Sequence, residues 1–244
     1  MENNISNSSW EIAENSSLWY DMNRCLQIPN ILSPSGVNTS DEALPTEPFT
    51  TYPISPNVEP LDLPDRHRFR EWLISNHDKE KECWVYLNRG KDDGTLSYLD
   101  CVEEALCFGW IDSTVRSHNG RTAQRFSPRR KGSRWTELNK ARCERLERLG
   151  LMTPAGREAL SNAERFAIDE DILALLRSDP IAWNNLQTFP KLYVRVRIDN
   201  IQYLKDRDPD TYRRRLDRFM EHTKRNEMYG DWNDDGKLLM STTE

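Results

Sequence analysis

Residues 98–135 read YLDCVEEALCFGWIDSTVRSHNGRTAQRFSPRRKGSRW, and the fold turns on how this stretch is parsed. Asn119-Gly120 is the strongest short hairpin signal, because a two-residue type I′ turn needs positive φ at both central positions. Placing those two residues in the loop pairs His118 with Arg121, Arg116 with Ala123, Thr114 with Arg125 and Asp112 with Ser127. Side chains alternate across a strand, so one face then carries Ile111, Ser113, Val115, Gln124 and Phe126 and packs. The other carries Asp112, Thr114, Arg116, His118, Arg121 and Arg125. A slip of one residue on either strand would exchange the faces, so this sorting depends on the turn.

Upstream of the hairpin, Ser97 caps a helix whose Tyr98, Cys101, Val102, Ala105 and Leu106 share one face, and Gly109 stands where a helix commonly ends. Still earlier, Asp65 caps a helix over 66–76 with Phe69, Trp72 and Leu73 at helical spacing, and CWVYLNRG (83–90) has the two-residue period of a strand. KDDGTLS (91–97) turns the chain between that strand and the next helix. Downstream, Ser133 is expected to cap a helix running to Leu149, with Trp135, Leu138, Ala141 and Leu146 inward and Gly150 as its stop. Thr153-Pro154, Asp179-Pro180 and Asp208-Pro209 each set a capping residue before a proline at the first helical position. Helices are therefore expected at 154–166, 169–177, 180–188, 191–205 and 209–226. The fold class is α+β: a small antiparallel sheet with a packed helix, followed by a helical C-terminal half.

Charge divides the chain in the same way. Residues 1–65 hold ten Asp/Glu against one Arg, whereas residues 66–244 are mildly basic, so the overall −6 belongs to the leader. Eight of the thirteen prolines fall between Pro29 and Pro64, and such a segment buries too little apolar surface to offset the entropy of ordering it. The expected organisation is a disordered acidic leader (1–60), a sheet region with a basic hairpin (61–150), a helical region (151–228) and a flexible tail (229–244). Five cysteines form no CxxC pair and make a poor disulfide framework, which with the absence of any signal-peptide pattern points to a cytoplasmic protein. No apolar run reaches the roughly 20 residues that span a bilayer.

The block EEALCFGWIDS (103–113), QRFSPRRKGSRWTELNKARCERL (124–146) and LMTPAGREAL (151–160) closely resembles the YdeI/OmpD-associated family, also described as bacteriocin-protection proteins. REWLISNHDKEKECWVYLNRG (70–90) is similar to that family's opening helix and first strand. DPIAWNNLQTFPKLYVRVRIDNI (179–201) and TYRRRLDRFMEHTKRN (211–226) resemble its C-terminal helices. The resemblance runs from about 65 to 228 and leaves out the leader and the last residues. Ser113 stands where many relatives have glycine, and a short polar loop replaces their more varied hairpin tip. What the resemblance implies is a fold and a protective role associated with the envelope and with bacteriocins, without a reaction or catalytic residues.

Between Ser113 and Thr136 lie seven Lys/Arg and no Asp or Glu, a concentration that marks the place for a site in an acidic chain. Arginine's planar fork suits carboxylate and phosphate, so Trp110, Asp112, Arg116, Arg121, Arg125, Arg129 and Trp135 are the expected ligand-binding residues, for an anionic small molecule or a protein partner. The bland alternative is a solvated edge that keeps the hairpin from pairing with other chains. Nucleic acid is a weaker candidate, because the folded region lacks a strongly basic character. Asp112 suggests a second class, an enzyme with a cleft near Asp112, Arg125 and Trp135; the structural alternative is an ion pair locking the helix–strand junction. Cys143 lies between Arg142 and Arg145, which would depress its pKa, yet no base stands near it in sequence. Neither metal-ligand spacing nor a dinucleotide, P-loop or nucleophile-elbow motif is present, so no cofactor is expected. The leader's −9 is further expected to fold back on the basic hairpin and compete with its ligand.

Overall fold

The computed structural model describes residues 58–87, 96–161, 163 and 165–239. Residues 1–57 and 88–95, which include most of the expected leader, the end of the expected strand 83–90 and most of the expected turn 91–97, lie outside these residues. The elements are α1 (Arg66–Asn76), β1 (Cys83–Tyr86), α2 (Tyr98–Cys107), β2 (Trp110–His118), β3 (Arg121–Pro128), α3 (Glu137–Arg148), α4 (Pro154–Leu160), α5 (Glu170–Ser178), α6 (Pro180–Leu186), α7 (Lys191–Gln202) and α8 (Pro209–Lys224). The fold is α+β, with a small antiparallel sheet of order β1-β3-β2 and a helical C-terminal half. Leu61 adds a parallel bridge to Val85 outside β1.

Capping chemistry sets most helix starts. Asp65, Ser97, Thr153, Asp179 and Asp208 each accept a backbone amide of the first turn through the side chain. One start is displaced: α3 begins at Glu137, with Thr136 rather than Ser133 as its cap. Asn119 and Gly120 have φ of 51° and 77°, the conformation that a type I′ turn requires. The hairpin register agrees with expectation from His118↔Arg121 to Val115↔Gln124. It then shifts, so that Asp112 faces Phe126 and Trp110 faces Pro128. Ser113 and Thr114 together oppose the single residue Arg125, which is a β-bulge in β2.

One face of the sheet packs under α1 and α2, with Phe69, Leu73, Val85, Trp110 and Phe126 in the shared core. Full burial of side chains such as Phe69 and Leu73 contributes roughly 2–3 kcal/mol each. A second core joins α5 to α8 around Tyr193, Ile198 and Phe219. α3 belongs to both, since Cys143 and Leu146 enter the first core and Leu138 the second. Residues 229–239, expected to fray, pack instead: Trp232 is buried and Asp234 takes both Nε and Nη2 of Arg142 at 2.8 Å.

Candidate functional site

The outward face of the sheet is built by β1 and the turn-proximal part of the hairpin. Trp84 pairs with Arg125 and Tyr86 with Ala123 across β1 and β3, while Arg116 pairs with Ala123 across β2 and β3. These registers bring Arg116, Arg121 and Arg125 to the face that carries Trp84 and Tyr86. The Arg121 guanidinium lies 3.9 Å from the Tyr86 ring centroid, and that of Arg116 lies 5.6 Å from the Trp84 ring. A guanidinium over a ring gains cation–π attraction and still has N–H groups to offer an acceptor. Tyr86 Oη and His118 Nδ1 share a 2.5 Å hydrogen bond beside them. A groove of about 310 Å³ opens here, lined by Val58, Glu82, Trp84, Thr114, Arg116 and Arg125.

Carboxylates already sit on two of these arginines. Arg121 donates to Asp62 at 2.5 and 2.7 Å. Arg125 donates to Glu82 at 3.0 and 2.5 Å, and to Ser113 Oγ at 3.3 Å. The Arg125 hydrogen bond holds the Glu82 carboxyl below its ordinary range, and Arg121 does the same for Asp62. Both acids reach solvent, so these are exchangeable surface pairs that contribute little to stability.

The other four expected residues point the opposite way. Trp110 is fully buried and donates its Nε1–H to the His77 carbonyl at 3.0 Å. Trp135 is buried with the Arg129 guanidinium 3.5 Å from its ring centroid, and Arg129 donates to Ser133 Oγ and the Arg134 carbonyl. Asp112, expected beside Arg125, lies across the sheet from it, because the bulge turns every β2 side chain beyond it to the other face. Its carboxylate is buried and accepts the Tyr98 hydroxyl at 2.6 Å. The seven residues read as one surface are thus divided: Arg116 and Arg125 line the groove, Arg121 stands further along the same face, and the other four belong to the junction behind the sheet.

Burial pushes the Asp112 carboxyl above its ordinary value, against the opposing effects of Tyr98, Arg142 and Arg129. The folded chain therefore holds this proton to higher pH than the unfolded chain, whose carboxyl titrates near 3.8. This group's contribution to stability is largest below that value and falls as pH rises above it. Asp112→Asn keeps an acceptor for Tyr98 and removes the buried charge, so denaturation at pH 7 should show stability within about 1 kcal/mol of the parent. A much larger loss would mean that the fold uses the carboxylate's charge.

Sequence reasoning missed two charged clusters, since a carboxylate on a helix reads as solvent-facing until the partner helix is known. α2 buries Glu103 and Glu104 between α1 and α3. Glu104 accepts Arg66 at 2.6 and 2.8 Å and Arg70 at 2.7 Å, while Glu103 accepts Arg145 at 2.8 Å and Arg66 at 3.1 Å. The second cluster lines a cleft of about 280 Å³ between α3, α7 and the segment 165–169. There Glu137 pairs with Lys140 and Arg195, and Asp199 pairs with Arg134. Burial raises the Asp199 carboxyl and lowers the Lys140 ammonium relative to their ordinary values. Asp199 also accepts the Glu137 amide at the start of α3, at 3.2 Å, so it ties α7 to α3.

The four described thiols are buried and structural. Burial raises Cys107 to about 12 and lifts Cys83, Cys101 and Cys143 well above the ordinary thiol value. Burial of the Cys143 thiol outweighs the pull of Arg129 and Arg142 on it, and Arg142 and Arg145 are engaged by Asp234 and Glu103. Among the described residues no group of three or more His, Cys, Asp or Glu is placed to hold a metal ion. No helix among them is long and apolar enough to cross a membrane.

Two family models match the chain in tandem. Residues 61–159 match a domain of unknown function (DUF8412), and residues 165–226 match the family described as Bacteriocin-protection, YdeI or OmpD-Associated. The family resemblance is thus carried by the C-terminal helices, while the hairpin block falls within the first match. No curated protein and no solved structure matches the chain.

Proposed function

We propose that this chain, whose residues 165–226 carry the YdeI/OmpD-associated, bacteriocin-protection domain, works by binding rather than catalysis. Its ligand in this reading is a carboxylate-rich anionic partner, taken up in the groove on the outer sheet face. The observation that supports it most is Arg116 over Trp84 with Arg125 beside it in the groove, while Arg121 over Tyr86 stands further along the same face. Two of these forks already hold carboxylates of the chain itself, so the site has the geometry for that group. An incoming acidic segment would exchange with Glu82 and Asp62, whose pairs are weak at the surface. The enzymatic alternative loses its premise, because Asp112 and Arg125 do not share a cleft. Buried free thiols support a cytoplasmic setting, and the protective role follows the printed family description.

Titration of hexaglutamate into the full chain tests this reading. Binding should weaken steeply with salt, and Arg116→Gln with Arg125→Gln should lower affinity about tenfold or more while circular dichroism stays unchanged. Salt-insensitive binding, or retention of a nucleic acid in preference to the peptide, would count against it. Removing residues 1–57, and not through 60 because Val58 lines the groove and Leu61 pairs with β1, should raise affinity if the acidic leader competes.

A further inference from the structure

Three arginines of α7 and α8 come together at one place. Where α7 meets α8, Tyr229 folds back so that its ring lies 5.1 Å from the Arg197 guanidinium and 4.7 Å from that of Arg218. The His222 ring lies 4.5 Å from the same ring. One turn earlier on α8, Arg215 donates to the Asn200 carbonyl at 3.2 Å. Among the described residues no carboxylate lies at ion-pair distance from Arg197, Arg215 or Arg218. Arg197 donates to the Asp231 carbonyl instead, and the Asp231 carboxylate acts on it only at longer range. The acid within reach of the group is Glu227, 3.3 Å from His222 Nδ1.

Three buried polar atoms at this place lack a well-formed hydrogen bond: Arg197 Nε, His222 Nδ1, and the Tyr193 hydroxyl, which the Tyr229 backbone approaches. Burial, and to a smaller extent neighbouring Arg218, works against the Arg197 charge. Like charges held against one ring repel until an anion bridges them, and a guanidinium fork matches phosphate oxygens two at a time. We propose that Arg197, Arg215, Arg218 and His222, backed by Tyr229, form a binding site for a soluble phosphate ester. The site is separate from the sheet groove and lies largely within the segment that matches the bacteriocin-protection family.

Calorimetric titration of inorganic pyrophosphate into the full chain tests the proposal. Saturable binding is expected, weakened about tenfold or more by Arg218→Gln, an exposed position whose change leaves the core intact. Arg215→Gln should also weaken it, and the groove variant Arg116→Gln should not. No saturable heat up to about 10 mM pyrophosphate, or equal loss in the groove variant, would overturn the proposal. Binding to vesicles containing a phosphoinositide without binding to pyrophosphate would overturn it too, assigning the charge to a membrane surface.

Discussion

Gly156→Ala is expected to destabilise the protein by about 3 kcal/mol, the upper end for overpacking, and to lower the midpoint of chemical denaturation accordingly. A Cβ at Gly156 would overlap the Cys107 carbonyl oxygen, with that carbonyl carbon at 2.8 Å and the Leu106 oxygen at 3.0 Å. These are backbone atoms, so no side chain can swing away. The Cys107 carbonyl is also fixed by Thr153, whose amide and hydroxyl donate to it at 3.1 and 2.6 Å. Relief would require α4 to back off from the C-terminal end of α2, giving up the burial of Leu160. Gly109 faces the same contact from the other side, at φ 71°, with its missing Cβ aimed at Ala155 and Ala159. A stability change under 1 kcal/mol would mean that the helices are not this close.

Glu104→Ala is expected to cost roughly 3 kcal/mol, the lower end for breaking a buried ion pair. The carboxylate is almost wholly buried and accepts three arginine N–H bonds, while the side chains of Arg66 and Arg70 keep 35% and 23% of their exposure. The loss is softened because Arg66 keeps Glu103 and Asp100, and the N–H groups freed on Arg66 and Arg70 have partial access to water. α1 should loosen first, since Arg66 and Arg70 lie on it, and hydrogen exchange of its amides should accelerate more than that of α8. Equal acceleration in both helices would point to global destabilisation without a local role for Glu104.

Local chemistry carried most of the fold into the sequence. The Asn119-Gly120 turn, the Asp65 and Ser97 caps and the three cap-proline junctions are short-range signals that place an element without knowledge of its neighbours. The bulge at Ser113-Thr114 was not legible, because either residue suits either face of a strand and only packing against α2 selects between registers. That one extra residue moved Asp112 from the expected groove into the core and split the expected site in two. Glu103 and Glu104 were illegible for a related reason: their burial depends on arginines 34 to 42 positions away. The charge-free-of-acid run 113–136 did locate arginines, but Glu82 and Asp62 from outside it neutralise two of them, which no count within the run can show. The unpaired arginines of α7 and α8 lay in a stretch where acids are interspersed, so charge density alone hid them.

Glu82→Gln is the measurement that bears most directly on the sheet groove as an anion site. Removing this carboxylate frees Arg125 without changing the shape of the groove, and Glu82 is exposed enough for the fold to tolerate it. In low salt, hexaglutamate should bind the variant severalfold more tightly than the parent, about 0.5–1 kcal/mol for the loss of a weak internal competitor. An affinity equal to or below that of the parent would show that the peptide does not meet Arg125, and would contradict the assignment of the groove.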